Sequence, residues 1–229
     1  MPAARRSTFK RTPRTTGRRA PDRMRYQREA VYAILDEALV CHMGFVDGDG
    51  QPYVIPTLCA RIEDELFLHG SAASRALRTM TSGLRVCVTA TLVDGIILAR
   101  SAFFHSINYR SAVVIGTATA ITDPDEKLEA LRLFTDHLVA PGRFNEVRPP
   151  SRTEFKGTMI ARMAIEEASA KTRTGPPGDL EEDLDRDVWA GVIPLELKAS
   201  AGVPAPDLRK GVPMPAYAAN YDLKRGRGS

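Results

Sequence analysis

Short apolar runs with a period of two, separated by turn residues, are the feature that most limits how this chain can fold. In the clearest run, NYRSAVVIGTATAIT, apolar residues or threonines occupy every second position from Val113 to Ile121. Successive side chains of a β-strand point to opposite faces of the sheet, so this spacing predicts a strand. No apolar run approaches the ~18 residues of a membrane-spanning helix. We therefore expect a sheet-based globular fold without a membrane span.

Similar runs recur along the chain between clusters of Gly, Asp and Pro. Further strands are predicted for VCHMGFV, PYVIPTLCARI, EDELFLHG, LRVCVTATLVDG, IILARS and TMIARMAIEEASAK. Helical spacing is found at residues 26–39, 72–81 and 123–139, and Asp123 and Pro124 are placed to begin the last helix. Many short strands with a few helices predict a mainly β (α+β) fold, a closed antiparallel barrel with flanking helices.

Basic residues are concentrated at the N-terminus. Residues 1–25 hold nine lysines and arginines against one acid, Asp22, so this segment carries +8, the whole chain +4 and the remainder −4. Its Ser/Thr/Pro/Arg-rich composition predicts disorder. We expect a disordered basic tail over residues 1–22, one domain over 23–200 and a Pro/Gly-rich extension over 201–229. The tail could attract phosphate groups, but it lacks the interleaved aromatic pattern that stacks on bases, which argues against nucleic acid as a partner.

The cysteines and the turn motifs bear on metal binding and on cellular location. Cys41, Cys59 and Cys87 each lie in an apolar run and form no CxxC pair. This pattern is typical of buried free thiols and predicts a reducing, cytoplasmic location. The DGDG stretch beginning at Asp47 is interpreted as a turn, because the twelfth position of a calcium loop would fall on Leu58. No histidine or cysteine spacing suits a metal ion, so no metal ligand is predicted.

A strand-to-helix junction, HGSAASR, is the candidate binding site. Gly70 can turn the chain and Ser71 can cap the helix, which is a purely local interpretation. Alternatively, unpaired N–H groups at the helix N-terminus hold an anion, and the guanidinium of Arg75 reaches back to it. Neither a P-loop nor a dinucleotide fingerprint is present. The spacing alone leaves both interpretations open.

An ordered set of motifs resembles a known family over residues 24–197. The motifs are GQPYVIPTLCA, LFLHGSAASRAL, VCVTATLVDG, NYRSAVVIGTA, KTRTGPP and WAGVIPL. They resemble the flavin-nucleotide-binding branch of the pyridoxamine 5′-phosphate oxidase-like superfamily, which includes the nitroimidazole-resistance reductases. The resemblance implies an FMN-binding split barrel that acts as a homodimer with the cofactor at its interface. It further implies a flavin-dependent oxidoreductase that reduces a small organic molecule with electrons from a nicotinamide donor.

The resemblance also implies which residues contact FMN. The strand along the flavin ring corresponds to Val54, Ile55, Pro56 and Thr57, and the phosphate-binding junction to His69, Gly70, Ser71, Ser74 and Arg75. The strand along the ribityl chain corresponds to Val88 and Thr89. The contacts from the second subunit correspond to Tyr109, Arg110, Ser111, Lys171, Arg173 and Trp189. No residue is assigned a catalytic acid or base role. The C-terminal segment lacks the residues associated with pyridoxal phosphate recognition, so the activity of the founding oxidase is not implied.

Several of these residues also have ordinary structural interpretations. Lys171 and Arg173 are two apart and share one face if extended, but they could equally be a solvated strand end. Trp189 could be a core residue or could stack on a flavin ring. The alternative function is a non-catalytic flavin- or haem-binding protein of the same fold, with His69 or His42 as the iron ligand. A deazaflavin would fit the same kind of phosphate cradle as FMN.

Overall fold

Ten antiparallel strands dominate the computed structural model, which describes residues 7–222 apart from the side chains of residues 75, 76, 80 and 82. The strands are β1 Met24–Arg25, β2 Cys41–Val46, β3 Pro52–Thr57, β4 Cys59–Ile62, β5 Glu65–Ser71, β6 Ser82–Leu98, β7 Ser106–Ala120, β8 Thr158–Ala164, β9 Glu167–Arg173 and β10 Gly191–Pro194. The main sheet order is β3-β2-β6-β7-β8-β5-β4, while β9 pairs with β7 and β1, and β10 pairs with β6. The predicted mainly β (α+β) split-barrel class is confirmed, but the sheet is open, with β3 at one end of the strand order and β4 at the other, where the sequence predicted a closed barrel.

Six helices within the described residues lie around this sheet. They are α1 Arg28–Glu37, α2 Arg75–Met80, α3 Pro124–Leu138, α4 Arg143–Glu146, α5 Arg152–Gly157 and α6 Ala216–Ala219. The cap predicted for α3 is confirmed, because the side chain of Asp123 accepts hydrogen bonds from the N–H groups of Asp125 and Glu126. None of the helices in this part of the chain is both long and apolar enough to cross a membrane.

The strand boundaries differ from the sequence prediction in three places. LRVCVTATLVDG and IILARS form one long strand, β6, because the Asp94-Gly95 step shifts the register between Val93 and Gly95 instead of turning the chain. PYVIPTLCARI is divided at Leu58 into β3, which pairs with β2, and β4, which pairs with β5. TMIARMAIEEASAK is likewise two strands, β8 and β9.

Two apolar clusters fill the fold. The larger lies between the sheet and α1, which buries Val31, Ile34 and Leu35. The smaller lies between α3 and the opposite side of β4, β5 and β8, where Phe134 packs with Phe67 and Ile160. Period-two alternation allows β5 to serve both clusters, since neighbouring residues on a strand point to opposite faces.

All three cysteines are free as predicted, two of them are buried as predicted, and the predicted turn is found. Cys41 and Cys59 are buried free thiols, Cys87 is half-buried, and the hydrogen bond between Cys41 and Cys59 together with burial raises the pKa of the Cys41 thiol. In the DGDG turn, Oδ1 of Asp47 accepts hydrogen bonds from the N–H groups of Asp49 and Gln51. Within residues 7–222, no group of three His, Cys, Asp or Glu side chains could hold a metal ion.

The N-terminal segment differs most from the prediction. Residues 7–22 were expected to be disordered, yet Phe9 is only 4% exposed and packs in the larger cluster, beside the ring of Tyr32. Thr12 and Arg14 both donate hydrogen bonds to the carboxylate of Glu167 on β9. One buried aromatic side chain and this polar contact hold a segment whose average composition predicts disorder.

The extension after residue 200 is mostly exposed, with two tyrosine contacts to the body of the fold. Tyr217 donates its hydroxyl to the carboxylate of Glu146 at 2.6 Å, and Tyr221 donates to the carbonyl of Leu138 at 2.9 Å. The segment therefore runs close to α3 and α4.

Truncating Phe9 tests whether the N-terminal segment is part of the folded core. We expect Phe9→Ala to lower the free energy of unfolding by about 3 kcal/mol, because it removes a buried aromatic ring. The matched control is Phe103→Ala, since Phe103 is 81% exposed, and its effect should stay within about 0.5 kcal/mol. Denaturant titration measures both; equal stability of the Phe9 variant and the wild type would contradict the packing described.

Candidate functional site

The strands β2, β3, β6, β7 and β9 turn one face towards the larger cluster and the opposite face, which we call the outer face, away from it. On β6, Val86, Val88 and Ala90 point into the core and are buried. Cys87 and Thr89 lie between them in sequence and therefore belong to the outer face. Strand register decides which residues become neighbours there.

Cross-strand pairing builds the outer face in rows. The rows that the register defines are Pro56–His42–Thr89–Val113–Ser169, then Thr91–Ser111–Lys171, then Val93–Tyr109–Arg173, with Val54–Gly44–Cys87–Ile115–Glu167 on the other side of the first. Residues directly opposite one another on antiparallel strands have their side chains about 5 Å apart. Five strands thus bring together residues that lie far apart in the sequence.

Seven of the predicted contact residues share this outer face. They are Val54, Pro56, Thr89, Tyr109, Ser111, Lys171 and Arg173. The expectation that Lys171 and Arg173 lie on one face is confirmed by their pairing with Ser111 and Tyr109.

Four predicted residues point to the other side of the sheet. They are Ile55, Thr57, Val88 and Arg110, whose paired neighbours are core-facing. Val88 is fully buried and Ile55 packs against the larger cluster. Only alternate residues of a strand face the same side, so Ile55 and Thr57 do not share the outer face with Val54 and Pro56. Contact of all four residues with one ligand stays a prediction.

Arg110 is held by two carboxylates. Its guanidinium donates to Glu37 of α1 at 2.5 and 2.9 Å and to Asp94 of β6 at 2.7 and 2.9 Å. These acids raise the pKa of Arg110 further above its ordinary value. The side chain therefore ties α1 to the end of the sheet, and its donors are engaged within the chain.

The predicted phosphate junction is occupied by local hydrogen bonds. Oγ of Ser71 accepts from the N–H of Ala73 at 3.1 Å, and Oγ of Ser74 caps α2 by accepting from the N–H of Leu77 at 3.3 Å. A Cβ at Gly70 would lie 2.6 Å from Cδ1 of Leu77, so a larger residue there would require the Leu77 side chain to move. The side chain of Arg75 lies outside the described residues. The helix is capped as the local interpretation expects, but by Ser74 and not by Ser71. Phosphate binding at this junction stays a prediction.

His69 faces α3 rather than the rows of the outer face. It shares a side of β5 with Phe67, and its ring centroid lies 5.2 Å from that of Phe134 on α3. Burial lowers the pKa of the His69 imidazole, which favours its neutral form. The other predicted aromatic contact, Trp189, is 66% exposed and lies against Gly191, so it is not a core residue.

The end of the outer face near Arg173 is positively charged. Arg173 donates to Oδ1 of Asn108 at 2.7 Å, and Nζ of Lys171 lies 3.5 Å from the carbonyl of Arg19. Burial, with the positive charge of Arg23 nearby, lowers the pKa of Arg173. Several basic side chains therefore lie close together here. Among the described contacts, no carboxylate is bonded to Arg173.

Several residues of this face were missed by sequence reasoning. His42 was considered only as an alternative iron ligand, and Val113 only as a strand residue, although both share a row with Pro56 and Thr89. Arg23 was counted only among the basic residues of the first 25 positions. No local motif marks such residues, because cross-strand register joins segments that are distant in sequence. Only the strand register shows that His42 lies between Pro56 and Thr89.

The arrangement has the chemistry of a site for a flat, anionic ligand. Small side chains such as Pro56, Thr89 and Val113 leave a level surface for a planar ring. Ser111 and Tyr109 add hydroxyl groups, and Lys171 with Arg173 can bind an anion at one end.

The family of the chain follows from a direct match. A family model described as pyridoxamine 5′-phosphate oxidase matches residues 27–172, which is more than half of the chain. The chain therefore belongs to the pyridoxamine 5′-phosphate oxidase-like family of split-barrel proteins, as its motifs predicted.

Two solved structures resemble the chain over most of its length. The flavocytochrome Anf3 from Azotobacter vinelandii shares 38% sequence identity, covers 93% of this chain and 98% of that protein, and has a TM-score of 0.86. The FAD and haem binding protein from Mycobacterium smegmatis shares 36% identity, covers 86% and 96%, and has a TM-score of 0.81. A candidate 5-nitroimidazole antibiotic resistance protein from Bacteroides thetaiotaomicron, 21% identical over 65% of this chain and 85% of that protein with a TM-score of 0.54, shares the fold. No curated protein matches the chain.

Replacing Arg110 tests its structural role. We expect Arg110→Ala to lower the free energy of unfolding by about 1–2 kcal/mol, because Glu37 and Asp94 lose the guanidinium that they share in a partly exposed site. Removing one of the acids as well, in Arg110→Ala/Asp94→Asn, should restore part of that loss. Denaturant titration provides the measurement; a single variant as stable as the wild type would rule out this ion-pair network as a stabilising element.

Proposed function

We propose that this chain is a flavin-dependent redox protein whose flavin lies on the outer face. The observation that carries the proposal is the row Pro56–His42–Thr89–Val113, with the basic residues Lys171 and Arg173 at one end. A flavin nucleotide joins a planar ring to one or two phosphates, and this donor set matches both parts in kind.

The residues of this face have distinct roles in the proposal. The small side chains of the central row pack against the ring, and exclusion of water there strengthens nearby electrostatic interactions. Ser111 and Tyr109 offer hydroxyl groups, while Lys171 and Arg173 neutralise phosphate charge. A bound flavin supplies hydride and single-electron transfer, which the protein side chains alone cannot perform.

The identity of the flavin is the finer part of the proposal. The motif resemblance favours FMN, whereas the relative from Mycobacterium smegmatis is an FAD and haem binding protein. Chromatography of the cofactor released from purified protein separates FMN, FAD and a deazaflavin directly. The same preparation, reduced by NADH or NADPH under anaerobic conditions, tests the proposed nicotinamide donor. Reoxidation of that flavin by a small organic acceptor then tests the proposed oxidoreductase activity.

We also propose that the chain holds a haem and that His69 is its iron ligand. Support comes from the flavocytochrome at 38% identity and from the FAD and haem binding protein at 36% identity. His69 suits the role because burial favours its neutral imidazole, the form that binds iron. It lies beside Phe134 in apolar surroundings. His42 is the alternative ligand, but it is exposed and lies in the middle of the proposed flavin face.

A homodimer is part of the same proposal, with the flavin at the subunit interface. Exposed apolar side chains support it, since Val54 is 70% exposed on the outer face and Trp189 is 66% exposed beside β10. Burying such residues against a second copy would remove apolar surface from water. Light scattering of the full chain at two concentrations measures the mass directly.

Blocking the central row should prevent flavin binding. We expect Thr89→Phe to lower the flavin content per chain at least tenfold, because the larger ring occupies the surface on which the flavin would lie. The matched control is Thr119→Phe, since Thr119 is exposed on β7 and lies about 20 Å along the strand from Val113, the partner of Thr89.

Absorbance near 450 nm after reconstitution gives the flavin content, and circular dichroism confirms that both variants are folded. Full flavin content in a folded Thr89→Phe protein would contradict the proposed position. A wild type that neither contains nor takes up a flavin would contradict the function itself.

Replacing His69 and His42 by glutamine in separate variants should show which histidine binds the haem iron. His69→Gln keeps most of the side-chain volume but removes the imidazole, so we expect the Soret absorbance per chain to fall at least tenfold while flavin content is retained. His42→Gln should retain the Soret band. The reverse pattern would assign the iron ligand to His42, and an unchanged Soret band in both variants would exclude both residues.

A further inference from the structure

A basic cleft, separate from the central row of the outer face, lies where the N-terminal segment meets the end of β9. Its volume is about 330 Å³, and we call it the basic cleft. The residues that line it are Asp22, Arg23, Arg25, Thr172, Arg173, Thr174, Pro176 and Gly178. Only Arg173 among them was singled out from the sequence.

Backbone pairing fixes the two sides of the basic cleft. β1 pairs with β9 through Met24 and Lys171, and through Arg25 and Ala170. The turn over Pro21–Arg23 immediately precedes β1 and brings Arg23 to the same end of the sheet. The cleft is thus built by regular structure on one side and a short helical turn on the other.

The arginines of the basic cleft are bonded to neutral groups. Arg25 donates to the carbonyls of Asp22 and Met24 at 2.6 and 2.9 Å. Arg173 donates to Oδ1 of Asn108 and to the carbonyl of Pro176. Among the ion pairs formed within residues 7–222, none involves Arg23, Arg25 or Arg173. Elsewhere, the arginines at positions 61, 100, 110 and 148 each bond a carboxylate.

Like charges therefore meet in this cleft with little compensation. Three guanidinium groups line it against one carboxylate, Asp22, which leaves a local charge of +2. The positive charge of Arg23, after burial, contributes to lowering the pKa of Arg173. An anion placed between these groups would remove the repulsion between them and gain hydrogen bonds from guanidinium groups whose geometry matches phosphate oxygens.

We propose that the basic cleft binds the phosphate group of a small molecule. Arg23 and Arg173 bind the phosphate from the two sides of the cleft, and Arg25 adds charge. The cleft is at the small end of the range for ligand pockets, which suits a phosphate or diphosphate group with little beyond it. Two sources share this chemistry: a phosphate of the proposed flavin, and a separate phosphate-bearing ligand.

The direct test is calorimetric titration of the full chain with inorganic pyrophosphate. We expect Arg23→Ala to weaken binding at least tenfold, because the contact from one side of the cleft is lost. Arg209→Ala is the matched control: it removes the same charge from an exposed residue that does not line the cleft, and should change affinity less than twofold. Arg173→Lys, which keeps the charge but loses the two-pronged geometry, should also weaken binding.

Two further arms identify the source of the phosphate without relying on the flavin proposal. Flavin-depleted protein should bind pyrophosphate whether or not the flavin proposal is correct. If added flavin nucleotide displaces the pyrophosphate, the cleft receives the cofactor phosphate; if both bind together, it serves a separate ligand. Either result supports the proposal.

Three results would overturn it. They are absence of pyrophosphate binding, equal affinity in Arg23→Ala and wild type, and equal weakening in Arg23→Ala and Arg209→Ala. Binding of a DNA duplex that depends on Arg23, in the absence of pyrophosphate binding, would instead assign the cleft to nucleic acid.

Discussion

The antiparallel pairing of β6 with β7 is the interaction on which the rest of the structure depends. These two strands pair from Ser82 to Ile97, longer than any other pair in the described sheet. Their alternate residues serve two purposes at once, since Val88 and Val114 fill the core while Thr89 and Val113 form the outer face. A shift of register by one residue would exchange these faces, so packing of the core also fixes the geometry of the proposed site.

Charge is distributed unevenly over this framework, and the N-terminal segment accounts for much of it. Arg14 is neutralised by Glu167, and Arg110 by Glu37 and Asp94, so these side chains stabilise contacts between elements. Arg23 and Arg173 lie outside such pairs and meet at the end of β9. Basic residues with similar sequence surroundings thus differ in the structure: some are paired with carboxylates, and others line the cleft for which phosphate binding is proposed.

Local sequence patterns predicted the helices and strands, whereas the pairing of distant strands determines which residues are neighbours in the candidate site. The Asp123 cap, the β7 alternation and the buried cysteines could be read from neighbouring residues because short-range physics determines them. By contrast, the row that joins Pro56, His42 and Thr89 depends on register between distant strands, which a single sequence does not specify. The same reason explains why Phe9 was missed: composition averages over a segment, whereas one aromatic ring in the core is enough to hold it.

A crystal structure of the flavin-reconstituted full chain would show whether the outer face binds a flavin as proposed. We expect the planar ring over the row Pro56–His42–Thr89–Val113, with the phosphate end towards Lys171 and Arg173. A ring bound away from this row, for example with its phosphate at the N-terminus of α2 beside Ser71 and Ser74, would contradict it.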